Sequence, residues 1–134
     1  MREFALTQTA ILLRRLAFQV RAATDGSTDK VHDLRVAIRR FNRCLRVFAQ
    51  FYPDHSAKRV RQRLSRLMEA AGAVRDCDIA LQLLAEAGIS PPEPLAVQLE
   101  EDRRQAGLKL QRELRRFRSS NFSRKWRTGL ELKP

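Results

Sequence analysis

Residues 29–52, DKVHDLRVAIRRFNRCLRVFAQFY, decide the fold, because they separate apolar from charged side chains more sharply than the rest of the chain. At ~100° per residue, one side of a helix in this segment collects a stripe that a helical bundle would bury. The stripe consists of Val31, Leu34, Ile38, Phe41, Leu45, Phe48 and Tyr52. The segment predicts a long amphipathic helix that ends at Tyr52, since Pro53 disfavours the helical conformation for the residue before it.

The opposite side of this helix carries four arginines and a histidine that we call the basic row. Its members, three or four residues apart, are His32, Arg35, Arg39, Arg43 and Arg46. They extend over ~21 Å of helix axis, and like charges stacked in this way destabilise a helix unless something negative compensates for them. A solvated basic face is the simpler interpretation. We favour an anionic ligand, because the row contains no carboxylate and begins in the first helical turn, where free amides attract anions.

The charge balance also points to a polyanionic partner. Among 134 residues, 27 Lys and Arg stand against 15 Asp and Glu, which leaves a net charge of +12 at pH 7. Such an excess is typical of proteins that bind nucleic acid, an anionic membrane surface or a phosphate polymer. Arginine supplies 22 of these cations, and its planar guanidinium grips phosphate through two hydrogen bonds. The length and the 43% hydrophobic content predict one domain, residues 1–134, with its own core.

The cellular setting is inferred from features that the sequence lacks. No apolar run is long enough to span a membrane, and the N-terminal residues do not resemble a cleavable signal, so we expect a cytoplasmic protein. Cys44 and Cys77 have no C-x-x-C spacing, and His32 and His55 cannot complete a metal site with them. We therefore predict free thiols, no metal and no cofactor.

Three further segments have helical periodicity. A first helix is predicted from about Glu3 to Ala23, and Ser27 or Thr28 is expected to cap the central helix. Ser56 is expected to cap a third helix, in which Gly72 indicates either a bend or a close helix contact. The apolar residues of this third helix are Val60, Leu64, Leu67, Met68, Ala71 and Val74.

The fourth helix is predicted to follow a capping box at Ser90-Pro91-Pro92-Glu93. Its buried side is expected to consist of Leu95, Leu99, Ala106, Leu110, Leu114 and Phe117. Its arginines, Arg103, Arg104, Arg112, Arg115, Arg116 and Arg118, spread around the remaining surface and are interpreted as solvated. Residues 122–132, with Trp126, form either a last short helix or a docking tail. The chain is thus predicted to be all-α, an antiparallel four-helix bundle with a short C-terminal helix or tail.

Charged residues of the third helix lie next to its apolar stripe. Arg75 and Asp78 project near the core side, whereas Asp76 projects roughly opposite. A charge directed toward a core requires a partner, so Asp78 is expected to pair either with Arg75 or with arginines of the central helix. We assign Asp76 and Asp78 to structural ion pairs, because carboxylates repel a polyanion, and Arg75 to phosphate binding.

Two motifs resemble the signatures of the CHAD family, the conserved histidine α-helical domain. The first is Val31-His32-Asp33-Leu34-Arg35-Val36-Ala37-Ile38-Arg39-Arg40, followed by Leu45-Arg46-Val47-Phe48; the second is Ala73-Val74-Arg75-Asp76-Cys77-Asp78. The resemblance implies a helical domain that binds inorganic polyphosphate without catalysis, often at polyphosphate granules or joined to a triphosphate tunnel domain. It assigns His32, Arg35, Arg39, Arg40 and Arg46 to the first motif, and Arg75, Asp76 and Asp78 to the second. Arg43 enters through the basic row alone.

The chain departs from the family pattern in one respect. The family usually has two four-helix units, and no second His-x-x-Arg helix follows Asp78. The chain therefore resembles half of the usual domain, and a homodimer would restore the pair. Granule proteins are further expected partners. Two alternatives remain open: a helical protein that binds RNA or another nucleic acid, and an accessory subunit of an enzyme that processes polyphosphate or triphosphate.

Overall fold

The computed structural model describes residues 1–132 and folds them into five α-helices without a β-strand. The helices are α1 (Arg2–Ala22), α2 (Thr28–Val47), α3 (Ser56–Glu86), α4 (Pro94–Ser119) and α5 (Phe122–Gly129). The first four pack antiparallel: α2 lies between α1 and α3, α4 packs on α3, and α4 also contacts α1 and so closes the bundle. The predicted all-α antiparallel bundle is confirmed, as is the cap at Ser27, whose hydroxyl accepts a hydrogen bond from the amide of Lys30.

The core is made of the predicted stripes. In α2, Leu34, Ile38, Phe41 and Leu45 are completely buried, whereas Phe48 is only half-buried. The other helices contribute aliphatic side chains at helical spacing, chiefly Leu13, Leu16, Val20, Leu64, Leu67, Val74, Leu110 and Leu114. Complete burial of such side chains is the main stabilising contribution, at ~1.5–3 kcal/mol each. It fixes the rotation of α2 about its own axis.

The C-terminal segment forms a helix that covers one end of the bundle. Trp126 of α5 stacks on Phe41 of α2, with ring centroids 6.0 Å apart, and meets Phe117 of α4 edge to face at 5.8 Å. Phe122 contacts both Phe117 and Trp126. Of the two expectations for residues 122–132, the short helix is the one that the structure contains, and its aromatic rings attach it to the core.

The end of α2 differs from the prediction. The α-helix ends at Val47, and a 3-10 turn over Ala49–Phe51 leads to Tyr52. Tyr52 is buried, and its hydroxyl lies 2.6 Å from the hydroxyl of Thr9 in α1. Burial raises the pKa of Tyr52 well above its usual value, so the phenol stays neutral. The 3-10 turn thus leads the chain to a buried contact between Tyr52 and α1.

The predicted starts of α3 and α4 are both wrong. His55, in a left-handed conformation, occupies the cap position of α3, and Ser56 is already helical. Ser90 does not cap α4, because prolines at positions 91, 92 and 94 exclude the helical conformation from the residues before them. The helix therefore begins only at Pro94, after an extended Glu93.

Other predictions for α3 and α4 also need correction. Leu95 is 56% exposed, and Ala96 takes its expected place in the core. Gly72 makes no close helix contact, since a Cβ built there would meet nothing within 4 Å. Within residues 1–132, none of the helices combines the length and the hydropathy that a membrane crossing requires.

Candidate functional site

The basic row lies on the solvent-facing side of α2. His32, Arg39, Arg43 and Arg46 are exposed, and Arg35 is half-buried. Burial of the apolar stripe fixes the rotation of α2 about its axis. The side chains of the row repeat with the same helical period on the opposite face, so they face solvent. The members of the row, spaced as in the sequence, therefore form one basic surface along α2.

No carboxylate neutralises this surface. The ion pairs formed among residues 1–132 join Arg2 to Glu131, Arg103 to Asp78, Arg104 to Glu101 and Arg116 to Glu113. None of them involves a member of the basic row, nor Arg40 or Arg75. The two carboxylates of α2 are Asp29, in its first turn, and Asp33, which lines a different surface. The row thus keeps its full positive charge available to a ligand.

Arg35 is the most restrained member of the row. Its Nε atom is buried and has no hydrogen-bond partner in the described part of the chain, and the same is true of Nε of Arg61 in α3. A buried donor without an acceptor is costly, by ~1–3 kcal/mol. A guanidinium that is held against the protein loses less conformational entropy when it binds phosphate than a freely rotating one does.

Helical geometry places Arg75 beside α2. Arg63 marks the flank of α3 that faces α4, because its guanidinium carbon lies 4.8 Å from the ring centroid of Phe117. Arg61 lies two positions before Arg63, so it projects ~200° further round the helix, toward α2. Arg75 lies four turns beyond Arg61 on nearly the same flank. Half-buried Arg75 therefore belongs to the α2–α3 side that carries Arg35.

Asp78 forms an ion pair, but with neither of the partners that the sequence suggested. Its Oδ1 accepts a hydrogen bond from Nε of Arg103 in α4 at 2.8 Å, and its Oδ2 accepts one from the hydroxyl of Thr28 at 3.1 Å. Arg103 also donates from Nη2 to the carbonyl of Gly26 at 2.6 Å. We call these four residues the Asp78 clamp. It ties α3 and α4 to the connection between α1 and α2, next to the first member of the basic row.

The interpretation of the fourth-helix arginines as solvated is therefore wrong for Arg103, whose side chain is only 22% exposed. A sequence signal existed, since Arg103 continues the stripe of Leu99, Ala106 and Leu110 at helical spacing. An arginine in such a stripe requires a buried acceptor. Asp76, in contrast, is exposed and makes no ion pair within residues 1–132.

Arg40 lies apart from the basic row. It lines a cleft of about 350 Å³ between α1 and α2, together with Arg15, Phe18 and Asp33. Its position in the helical repeat, one residue after Arg39, turns it ~100° away toward α1. Helical geometry therefore puts Arg75 on the same side of α2 as the row, and Arg40 lies on the other side.

Two exposed arginines of α4 are engaged with neighbouring carboxylates. Arg104 binds both oxygens of Glu101, and these hydrogen bonds lower the pKa of Glu101 to about 2. Arg116 pairs with Glu113 at 3.2 Å. Cys44 and Cys77 are free thiols. Among the described residues, no three histidine, cysteine or carboxylate side chains come together as a metal site would require.

Comparison with known proteins identifies the fold family from the whole chain. The family model of the CHAD domain matches residues 8–134, a range that includes both motifs, the basic row and the Asp78 clamp. The resemblance inferred from the two motifs is thereby confirmed. Neither the curated proteins nor the solved structures give a significant match to this chain.

Proposed function

We propose that this chain, which belongs to the CHAD family, binds inorganic polyphosphate through the basic row and catalyses no reaction. The observation that carries the proposal is the unpaired state of the row. Four arginines and one histidine follow one another along α2, and none of them forms an ion pair with a carboxylate within residues 1–132. On α4, by comparison, Arg103, Arg104 and Arg116 are paired, and Arg112 and Arg115, unpaired among the described residues, alternate with these pairs instead of forming a row of their own.

The chemistry of polyphosphate fits such a surface. The polymer carries about one negative charge per phosphate, so each guanidinium can hold one unit through two parallel hydrogen bonds. Binding at several points also releases condensed counterions, as in DNA binding. The polymer has no bases, so recognition depends on charge density and on the spacing of cations along α2.

The residues have different parts in this proposal. Arg35 and Arg75 fix the polymer beside α3, where their restrained side chains act as anchors. His32, Arg39, Arg43 and Arg46 follow it along the exposed side of α2. Asp78 makes no contact with the polymer, and the clamp holds the start of α2 so that the row keeps its direction.

Titration of a labelled long-chain polyphosphate at two salt concentrations tests the proposal. An Arg35→Ala/Arg39→Ala variant should lose most of the affinity, and its salt slope should fall by ~1.4 if the polymer behaves as a single strand. Arg112→Ala/Arg115→Ala is the matched control, because both arginines are exposed on α4 and unpaired among the described residues. Equal losses in the two variants would refute a specific site and indicate diffuse polyanion binding.

Two further readouts complete the experiment. The melting temperature of the unliganded Arg35→Ala/Arg39→Ala variant should not fall, because removing like charges relieves repulsion along α2. Weaker binding would then not result from unfolding. Competition with RNA separates the proposal from nucleic-acid binding: polyphosphate should displace bound RNA at low phosphate equivalents, and RNA should win if the alternative holds. Association with polyphosphate granules in cells is expected to follow the in vitro affinity of each variant.

A further inference from the structure

Residues 76–102, which we call the acidic hairpin, have the opposite charge to the rest of the chain. They contain seven of the 15 carboxylates and none of the 27 Lys and Arg residues, nor a histidine. Arg75 and Arg103 border the segment on either side. A stretch of this length without a basic side chain is unusual in so basic a chain. Its carboxylates therefore concentrate negative charge in one part of the molecule.

The acidic hairpin projects beyond the bundle. Asp78 binds Thr28 at the start of α2, and Arg103 binds Gly26 in the connection that precedes it. These contacts mark the level at which α1 ends and α2 begins. The helix α3 continues to Glu86, so at 1.5 Å per residue it extends ~12 Å past this level, and α4 returns over a similar distance from Pro94.

The surface of the projection is both apolar and anionic. Its inner side is closed by Ala96, which is 1% exposed. Four large apolar side chains of the projection are exposed: Ile79 and Leu83 share one face of α3, and Leu95 and Val97 lie on opposite flanks of α4 with Ala96 between them. Five of its carboxylates are exposed and make no ion pair within residues 1–132: Asp76, Glu86, Glu93, Glu100 and Asp102. Apolar groups with a charged rim are typical of a protein–protein contact.

We propose that the acidic hairpin docks on the basic row of a second copy of this chain. Charge complementarity selects this occupant, because each copy displays a basic row without ion pairs and a hairpin with five carboxylates without ion pairs, within residues 1–132. The two surfaces cannot neutralise each other within one copy, since the hairpin projects away from α2 beyond its N-terminus. A two-fold axis near the start of α2 would lay each hairpin along the row of its partner, so that both contacts form at once.

This inference rests on the proposed function only in using the same row. Polyphosphate and the hairpin would compete for that row, so the polymer should dissociate the dimer, and the dimer should lower the apparent affinity for the polymer. High salt should also separate the two copies, because the attraction between them is screened.

Charge exchange tests the docking directly by analytical ultracentrifugation. The variants are Glu86→Lys/Glu93→Lys in the hairpin and Arg39→Glu/Arg43→Glu in the row. Each should raise the dimer dissociation constant by about a hundredfold or more, because like charges then face each other. An equimolar mixture of the two variants should restore association, since the exchanged charges attract again. Asp54→Lys/Glu69→Lys changes two exposed carboxylates outside the hairpin by the same amount and should leave the native dimer intact.

Every outcome bears on the inference. A native chain that stays monomeric at tens of micromolar in low salt would overturn the proposed docking between two copies. That conclusion would hold even if the hairpin binds a different partner. A dimer that survives the hairpin exchange would place the contact elsewhere. The hairpin variant retains its basic row, so it should bind polyphosphate at least as tightly as the native chain. If the mixed variants associate but the native chain does not bind polyphosphate, only the proposed function is rejected. If the native chain binds polyphosphate but the mixed variants do not associate, only the docking is rejected.

Discussion

Removal of the carboxylate in Asp78→Ala would test whether the Asp78 clamp holds the bundle together. The change deletes two hydrogen bonds, one of them to a guanidinium, and leaves Arg103 with the Gly26 carbonyl as its remaining acceptor in the clamp. Breaking a fully buried ion pair costs ~3–5 kcal/mol, whereas an exposed pair contributes ~0–1 kcal/mol. The side chains of Arg103 and Asp78 are 22% and 13% exposed.

These exposures place the pair toward the buried limit, with some solvent screening. We therefore expect Asp78→Ala to lower the free energy of unfolding by about 2–3 kcal/mol. For a chain of this size, that loss corresponds to a melting temperature about 8 °C lower. Urea denaturation followed by circular dichroism gives the free energy, and a thermal scan gives the midpoint.

A matched ion pair on α4 supplies the control. Glu101 and Arg104 form a short contact at 2.8 Å, but both side chains are about half exposed, so Glu101→Ala should lower the free energy of unfolding far less than Asp78→Ala does. In an Arg103→Ala background, Asp78→Ala should cost about 2 kcal/mol less than in the native chain. Asp78→Ala could instead lower the free energy of unfolding as little as Glu101→Ala does, or by an amount that does not depend on Arg103. Either result would show that the Asp78 clamp does not hold the bundle together.

Three other substitutions or modifications follow from the structure. Gly72→Ala should stabilise the chain by ~0.5–1 kcal/mol, because Gly72 is helical with open space around it; a lower denaturation midpoint would reveal a contact there. Trp126→Ala should cost ~3–5 kcal/mol, since it removes a buried ring packed on Phe41, and a loss below 1 kcal/mol would show that α5 is not docked. Burial, with the nearby charge of Asp102, raises the pKa of Cys77, so iodoacetamide at pH 8 should label it more slowly in the folded than in the unfolded chain; an equal or faster rate would contradict this.

The helices and their buried faces could be predicted because they depend on local periodicity. Apolar side chains repeat every three or four residues in α2, at Leu34, Ile38, Phe41 and Leu45. A helix with such an apolar face is stable in water only when that face is buried. The separation of the basic row from the core follows from the same arithmetic.

The features that could not be predicted depend on contacts between distant segments. Asp78 lies 25 residues from Arg103 and 50 from Thr28, so helical spacing within α3 could not identify either partner. The early end of α2 has a similar origin, because the hydroxyl of Tyr52 reaches Thr9, 43 residues earlier in the chain. The failed capping box at Ser90 is different. Its cause, three prolines within four positions, was present in the sequence, and their effect on the preceding residues outweighs the cap preference of serine.

The distribution of charge does not favour the stability of the folded state. A chain selected for stability alone would place its unpaired carboxylates within reach of its unpaired arginines, since each such contact stabilises the folded state by a few tenths of a kcal/mol or more. Here the acidic hairpin extends past the start of α2 while the basic row follows its exposed face, so the two sets stay apart within one copy. The burial of α2's apolar stripe is large enough to tolerate this loss. Both charged surfaces consequently remain free for groups that come from outside the chain.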